Sequence, residues 1–309
     1  MVSAFAMTTS RVPVFHYVPI EGVDLPPAWR ALWEIVHPVA MSEFGADQIE
    51  AVTGTRPPMV YHGVDVEQFR PISPTRPLRL KDAEGEVVKT LRSKADCKAL
   101  FGAPPGARWM LRTDRLMPRK MYPSMLRAIA PVLATHPDLY MVIHCRSVDE
   151  GGFLGDTISK YHPSVGSRMV NTGFHDMAGG ASRDILTALY NAADLYISTS
   201  AEGFGLTVAE AIACGTPAVG LDYSAVPEVI GPAGLKAPIA GLIDNSYDHF
   251  WAIPDERQFG PIVASLLDDD LLRKRLGDLG PEHVRSTFSW DRAALLFGAA
   301  INDRLQVAA

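Results

Sequence analysis

A strand, a glycine-containing turn and a helix follow one another in residues 194–217, and this segment constrains the fold most strongly. Residues 194–198 form an apolar run of the kind that is buried in a parallel sheet. Gly205 follows in the turn, where the lack of a Cβ lets backbone approach a ligand closely. Residues 206–214 are predicted to form a helix, which a Gly-Thr-Pro sequence terminates. A buried strand that feeds a helix in this way indicates an α/β protein.

Two carboxylates flank this turn. Glu202 lies in the loop and Glu210 lies within the predicted helix. The free N–H groups and positive dipole end at the start of that helix suit a phosphate placed over Gly205, Leu206 and Thr207. The carboxylates are placed to accept hydrogen bonds from hydroxyl groups on either side of that phosphate. A diphosphate flanked by a sugar and a ribose would use all three features.

The segment resembles the E-x7-E motif of the retaining GT-B glycosyltransferases of family 4. The similarity extends from Ser200 through the Gly-Phe-Gly turn to Pro217, and residues 222–230 resemble the loop and helix that follow the motif. The resemblance implies that Glu210 accepts hydrogen bonds from the ribose and Glu202 from the donor sugar. An ordinary strand, loop and helix with surface carboxylates is the alternative, and it leaves the glycine turn and the Gly-Thr-Pro exit unexplained.

The resemblance also implies a set of donor-binding residues. The loop at residues 173–176 would hold the base through backbone atoms, although His175 could equally face solvent. The complete expected set is Gly173, Phe174, His175, Gly203, Phe204, Gly205, Leu206, Thr207 and Glu210.

A basic cluster follows the strand predicted at residues 109–112. In the resembling family, cations at the positions of Arg115 and Lys120 clamp the donor diphosphate. Fixed cations can neutralise the charge that grows on a diphosphate leaving group without a metal ion. A solvated charged loop is the alternative interpretation. Arg119 is less clear from the sequence, since it could merely extend over Pro118.

His16 lies where the family carries a histidine that reaches the donor sugar and the acceptor, and a structural role is the alternative. With His16, the expected catalytic residues are Arg115, Lys120 and Glu202. Neither Glu202 nor Glu210 is expected to be a nucleophile, because the resemblance implies a front-face reaction assisted by the leaving phosphate. General acid and base catalysis of hydrolysis is the other role, and it requires both carboxylates to face one anomeric carbon.

The order of predicted elements indicates how the chain is organised. Strands and helices alternate from residue 109 onward, which is typical of a doubly wound parallel α/β domain with its ligand at the carboxyl ends of the strands. Residues 76–288 are therefore expected to form a complete, Rossmann-like, nucleotide-sugar-binding domain. Residues 1–75 resemble only the last part of a Rossmann-like acceptor domain, and residues 289–309 a helix that packs back toward it. The charged run at residues 79–86 is predicted to be solvated surface.

Composition excludes several classes of protein. The chain has 309 residues, of which 47% are hydrophobic, enough for one large or two modest cores. A net charge of -6 argues against a nucleic-acid-binding protein. Three cysteines without metal-binding spacing fit a reducing cytoplasm. No apolar run approaches the ~20 residues that span a bilayer. A cytoplasmic protein is therefore expected. Neither a metal nor a cofactor is expected for the reaction.

The predicted function is transfer of a sugar from a UDP- or GDP-sugar to an unknown acceptor, with retention of configuration. Another GT-B enzyme, such as an epimerase or a phosphorylase, is one alternative, although no pyridoxal-phosphate lysine motif is present. A non-catalytic nucleotide-sugar-binding module that needs a partner is the other. The uncovered edge of the partial first domain predicts a homodimer or a partner subunit. Without such a partner, the first domain would serve as a small platform for a macromolecular acceptor.

Overall fold

The computed structural model describes residues 13–173, 180–244 and 250–307. The N-terminal block (residues 13–71) contains a short parallel sheet and two helices. Its elements are β1 (Phe15–Val18), α1 (Trp29–Ile35), β2 (His37–Ala40) and α2 (Glu43–Thr53). β1 pairs in parallel with β2, and a single bridge from Ala40 to Met59 extends the sheet.

The C-terminal block (residues 94–287) is built around a six-stranded parallel sheet. A hairpin, β3 (Leu78–Lys81) and β4 (Val87–Leu91), leads into it. Its first elements are α3 (Lys94–Leu100), β5 (Arg108–Thr113), a 3-10 turn (Pro118–Lys120), α4 (Tyr122–Thr135), β6 (Leu139–His144), β7 (Val148–Asp149), β8 (Gly152–Phe153), α5 (Leu154–Ile158), α6 (Pro163–Gly166) and β9 (Met169–Asn171). Then come α7 (Arg183–Ala192), β10 (Leu195–Ile197), α8 (Leu206–Ala213), β11 (Ala218–Leu221), α9 (Val226–Ile230), β12 (Gly234–Ala237), β13 (Ile239–Asp244), β14 (Phe250–Pro254), α10 (Glu256–Asp268) and α11 (Asp270–Thr287).

The strand order of the sheet is β12-β11-β10-β5-β6-β9, and every neighbouring pair is parallel. The chain first builds outward from β5 to β9 and then returns to the other side of β5 with β10. The order therefore reverses between β5 and β10, and a crevice opens at the carboxyl ends of strands at such a switch point. The α/β fold predicted from the alternating elements is confirmed.

Both faces of the sheet are covered, because adjacent strand residues point in opposite directions. Met110 and Leu111 are both fully buried, yet they belong to two different apolar clusters. Met110 packs in the cluster that contains α4 and Phe259 of α10. Leu111 packs in the cluster that contains residues of α7 and α8. This two-sided burial fixes the sheet and the loops that leave it.

Two local elements differ from the sequence prediction. The charged run at residues 79–86 is exposed apart from Leu80, as predicted for solvated surface, but it also forms part of the β3–β4 hairpin, in which buried Leu78 and Leu80 alternate with exposed residues. The apolar pattern of residues 259–276 predicts a single helix, but the structure has two, because Asp269 interrupts the segment and accepts a hydrogen bond from the Leu272 N–H at 2.8 Å. Charged strand residues and a local cap carry little of the apolar periodicity on which the prediction depended.

The last helix, α12 (Trp290–Val307), contacts the N-terminal block. Phe297 packs edge-on against Tyr17, with ring centroids 5.4 Å apart. Ala293 is buried beside Val39 and Val60. No helix among the described residues is both long enough and apolar enough to cross a membrane. The predicted boundaries at residues 75 and 288 stay predictions.

Candidate functional site

A cavity of about 330 Å³ lies at the switch point between β5 and β10. The loop after β5 and the N-terminal part of α8 form its walls, together with α7. Its lining residues are Thr113, Asp114, Arg115, Met117, Arg119, Lys120, His144, Ala181, Leu186, Tyr190, Thr207 and Glu210. The carboxyl ends of β5 and β10, where the strand order reverses, therefore bring the basic cluster after β5 close to the helix that carries Glu210.

Arg112, at the end of β5, ties the loops of the site to one another. Its Nη1 donates to Thr199 Oγ1 at 2.5 Å and its Nη2 donates to the Lys120 carbonyl at 2.5 Å. Its guanidinium also pairs with Asp114 at 3.2 Å and lies over the ring of Tyr122. The side chain is completely buried. Arg112 has no role among the residues predicted from the sequence; a lone arginine in an otherwise apolar strand is the signal that could have found it.

Lys120 is the central cation of the site. Its Nζ lies 2.8 Å from Asp114 Oδ1 and 2.5 Å from Glu202 Oε1. Ser200 Oγ donates to the same Glu202 oxygen at 2.6 Å. All three charged side chains are at least 88% buried, so the ammonium group is neutralised by carboxylates rather than by water. The structure thus brings Lys120 and Glu202 together, from the loops after β5 and β10.

Glu210 lines the same cavity and belongs to a network of hydroxyl groups. The Tyr190 hydroxyl donates to Glu210 Oε2 at 2.7 Å. Thr113 Oγ1 lies 3.0 Å from the Tyr190 hydroxyl and 3.2 Å from that of Tyr196, which in turn donates to Thr207 Oγ1 at 2.9 Å. Burial raises the pKa of Glu210 to about 7. Its carboxyl group therefore titrates near neutral pH.

The start of α8 is open to an anion. Gly205 occupies the N-cap position with φ +100°, and no side chain caps the helix. The uncapped N–H groups and the positive dipole end suit a negatively charged oxygen. Leu206 is 39% exposed here. The phosphate-binding role predicted for Gly205, Leu206 and Thr207 requires such an open helix start, and that role stays a prediction.

Arg115 lines the cavity but is engaged elsewhere. Its guanidinium pairs with Asp149 at 2.9 Å and with Glu150 at 3.1 Å, and its side chain is 60% exposed. Arg119 instead points across to the N-terminal block, where Nη1 lies 3.0 Å from Glu21 Oε2. The same nitrogen is 3.7 Å from Glu202 Oε2. No local pattern points to Glu21, because its contact with Arg119 joins residues about 100 positions apart.

The remaining predicted residues have varied positions. His16 lies in β1, and its Nδ1 is buried without a hydrogen-bond partner. It is not part of the cavity lining. Burial lowers the pKa of its imidazole. Gly203 lies against Pro19, and Phe204 is buried against Phe288. Gly173 follows β9 with φ +73°. Phe174 and His175 lie outside the described residues.

Fold and site together define a doubly wound protein whose crevice at the switch point is lined by Arg115, Arg119 and Lys120. The chain matches the family described as glycosyl transferases group 1 over residues 101–280. It belongs to this family. The family membership predicted from the residues around Glu202 and Glu210 is therefore confirmed.

Curated relatives extend the similarity beyond that region. A D-inositol 3-phosphate glycosyltransferase of Corynebacterium glutamicum is 28% identical over 251 residues, covering 80% of this chain and 54% of the relative. A GDP-mannose-dependent monoacylated alpha-(1-6)-phosphatidylinositol monomannoside mannosyltransferase of the same species is 23% identical, covering 81% and 58%. The chain thus spans about half the length of the curated relatives it matches.

Solved structures share the fold at low identity. Sucrose-phosphate synthase from Thermosynechococcus elongatus is 20% identical with a TM-score of 0.67, covering 96% of this chain and 68% of that one. The Anabaena protein HepE in complex with UDP and glucose is 15% identical with a TM-score of 0.65, covering 96% and 72%. The predicted GT-B-like architecture is confirmed.

Proposed function

We propose that this chain transfers a sugar from a nucleoside diphosphate sugar, of the UDP or GDP type, to an acceptor hydroxyl group with retention of configuration. One observation carries the proposal: the cavity at the switch point is lined by Lys120, by Thr207 in the first turn of the uncapped α8 and by Glu210, and Lys120 pairs with Glu202 beside it. A cation and a helix N-terminus suit a diphosphate. The two carboxylates suit the hydroxyl groups on either side of it.

Each group then has a chemical role. The bond between the anomeric carbon and the phosphate oxygen breaks, and its electron pair leaves with the diphosphate. Lys120 and the helix N-terminus stabilise that growing charge. The acceptor oxygen bonds to the anomeric carbon on the same face, and its proton passes to the departing phosphate oxygen. Glu202 orients the donor sugar, Glu210 the ribose, and His16 the acceptor side, as the family resemblance implies.

The similar proteins support this assignment. The names of the relatives describe glycosyl and mannosyl transfer, and one of them is GDP-mannose-dependent. HepE was solved with UDP and glucose. Because this chain spans about half of its relatives, their acceptors are not carried over. We propose neither a metal nor a cofactor for the reaction.

Release of the nucleoside diphosphate tests the proposal. The protein is incubated with UDP-glucose, UDP-N-acetylglucosamine or GDP-mannose and a panel of sugar, polyol and protein acceptors, and UDP or GDP is measured together with the anomeric configuration of the product. We expect turnover with retention, and a loss of about 100-fold or more in Glu202→Gln, since its hydrogen bonds act in the transition state. Inverted products, or activity unaffected by this change, would contradict the mechanism.

A non-catalytic nucleotide-sugar-binding subunit is the second candidate. It is favoured by the small N-terminal sheet, in which β1 pairs only with β2 among the described residues. Binding of UDP or GDP without turnover would support it. In either case we propose that a second copy or a partner covers this edge, since an open strand edge tends to pair. A monodisperse monomer in light scattering at micromolar concentration would count against that proposal.

The cysteines in the interior of the protein indicate the cellular compartment in which it works. Cys97, Cys145 and Cys214 are all buried, and none of them forms a disulfide. Such thiols persist in a reducing compartment. We therefore propose a cytoplasmic location.

A further inference from the structure

Arg119 and Glu21 form an ion pair at the cavity to which the proposed function assigns no role. Arg119 lies next to Lys120 in sequence and lines the same cavity. Its Nη1 is inaccessible to solvent and makes no well-aligned hydrogen bond, although Glu21 Oε2 is 3.0 Å away. A buried guanidinium nitrogen without a good acceptor is costly, and it gains from an incoming anionic oxygen.

Arg115 is occupied differently. Asp149 and Glu150 both pair with its guanidinium outside the centre of the cavity. Lys120 is already balanced by Asp114 and Glu202. A diphosphate brings more negative charge than one lysine can neutralise. A further cation at the cavity is therefore electrostatically useful.

We propose that Arg119 is a further cation for the donor diphosphate beside Lys120, and that Glu21 holds Arg119 in the donor-free protein. On donor entry the guanidinium exchanges the Glu21 carboxylate for a phosphate oxygen. Because Glu21 belongs to the N-terminal block, the exchange also frees a carboxylate on the acceptor side of the cleft. This inference rests on the proposed function, since it takes a nucleoside diphosphate as the ligand.

The exchange makes Glu21 a competitor of the diphosphate for one guanidinium. Removing the charge of Glu21 should therefore strengthen diphosphate binding, whereas removing Arg119 should weaken it. The effect of Glu21 must vanish when Arg119 is absent. A merely structural ion pair would instead lower stability in both variants and leave the affinity for diphosphate unchanged.

Calorimetry of the full chain with UDP and GDP, and with uridine and guanosine, measures these effects. We expect Arg119→Gln to weaken UDP or GDP binding about tenfold and Glu21→Gln to tighten it about threefold. The double variant should match Arg119→Gln, and nucleoside binding should not change. Arg127→Gln and Glu256→Gln, which break an Arg–Glu pair lining a different cavity, are the matched controls. Arg119→Lys keeps the charge and serves if the glutamine variant fails to fold.

The outcomes separate the two proposals. If the unmodified protein binds neither UDP nor GDP, the proposed donor class fails and this inference falls with it. If it binds UDP or GDP but Arg119→Gln binds equally well, only the role of Arg119 is overturned. If Glu21→Gln binds more weakly, Glu21 supports the donor site rather than competing with the donor. We expect Glu21→Gln to tighten UDP or GDP binding when Arg119 is present and to leave it unchanged in the Arg119→Gln background.

Discussion

At the residue scale, the site depends on buried charges that balance one another. Lys120, Asp114 and Glu202 form a connected set, and Arg112 pairs with the same Asp114. Breaking a buried pair by removing one partner costs about 3–5 kcal/mol, because the other charge is left uncompensated. In the proposed reaction, the donor diphosphate would meet a lysine that these contacts already fix in place. Preorganised charge of this kind stabilises a transition state without rearrangement.

Lys120→Ala tests this arrangement. We expect the affinity for UDP or GDP to fall about tenfold or more, since a charge-assisted contact is lost. The affinity for the bare nucleoside should stay constant, because it carries no phosphate. Calorimetry measures both, and equal losses for the two ligands would show that the change damages the fold rather than the clamp.

Glu210 should make donor binding depend on pH. The pKa of this group is about 7 in the folded protein and 4.5 ordinarily, because burial disfavours the charged form. The ionised carboxylate is the better acceptor for ribose hydroxyls, so the affinity for UDP-glucose or GDP-mannose should rise from pH 6 to pH 8. Glu210→Gln should abolish this rise and weaken binding at pH 8. An identical pH profile in the two proteins would contradict the assignment.

The same raised pKa affects stability with a definite sign. The folded state retains the proton of Glu210 above the ordinary pKa of 4.5, so its stabilising contribution is complete below pH 4.5 and is lost as pH rises through about 7. The loss is about 3 kcal/mol at most. Relative to Glu210→Gln, the free energy of unfolding should fall between pH 5 and pH 8 in urea denaturation. If the difference in the free energy of unfolding between the two proteins stays constant from pH 5 to pH 8, Glu210 is not buried as described.

At the scale of elements, β5, β10 and α8 position the whole site. The sequence predicted β10 and α8 well, because an apolar strand, two glycines and a Gly-Thr-Pro exit are local signals. Glu202, Glu210, Arg115 and Lys120 were found through the spacing of a family motif. Arg112 and Glu21 were missed, since their importance comes from tertiary contacts rather than from neighbours in sequence. The β3–β4 hairpin was missed because its charged residues hide the alternation.

Gly205→Ala tests the turn that opens α8. A Cβ at Gly205 would meet no atom closer than 3.6 Å, so the cost is the strain of φ +100°, about 1–2 kcal/mol. The change should also weaken binding of UDP or GDP, because the first N–H groups of α8 would be redirected. Gly106→Ala is the control: its φ is +77° and no atom lies within 4 Å of a Cβ there. If Gly205→Ala and Gly106→Ala lose equal stability and equal affinity for UDP or GDP, the turn at Gly205 has no specific role in binding.

At the scale of the whole molecule, the two blocks are held together at several points. Glu228 of α9 accepts hydrogen bonds from the backbone N–H groups of Glu43 and Phe44, at 2.9 and 2.8 Å, and so caps α2. The β1–β2 sheet ends near the cavity, where Pro19 contacts Gly203. The cleft between the blocks is therefore tightly closed around the turn that precedes α8.

Gly203→Ala tests this closure. A Cβ at Gly203 would lie 2.4 Å from Pro19 Cβ and 2.7 Å from its Cα, so the blocks must separate locally. We expect a loss of about 1–3 kcal/mol in the free energy of unfolding, typical of overpacking. Gly241→Ala, where no atom lies within 4 Å of a Cβ, should change stability little. Equal thermal midpoints for both variants would show that the contact does not hold the blocks together.

The most direct test of the proposed donor site is a crystal structure of the protein with UDP or GDP bound. We expect the diphosphate beside Lys120 and the start of α8, with the ribose hydroxyls on Glu210. We also expect that the Glu202 carboxylate is left facing the space where the donor sugar would lie. A nucleotide bound elsewhere, or one bound in this cavity with its phosphates away from Lys120 and α8, would contradict the account.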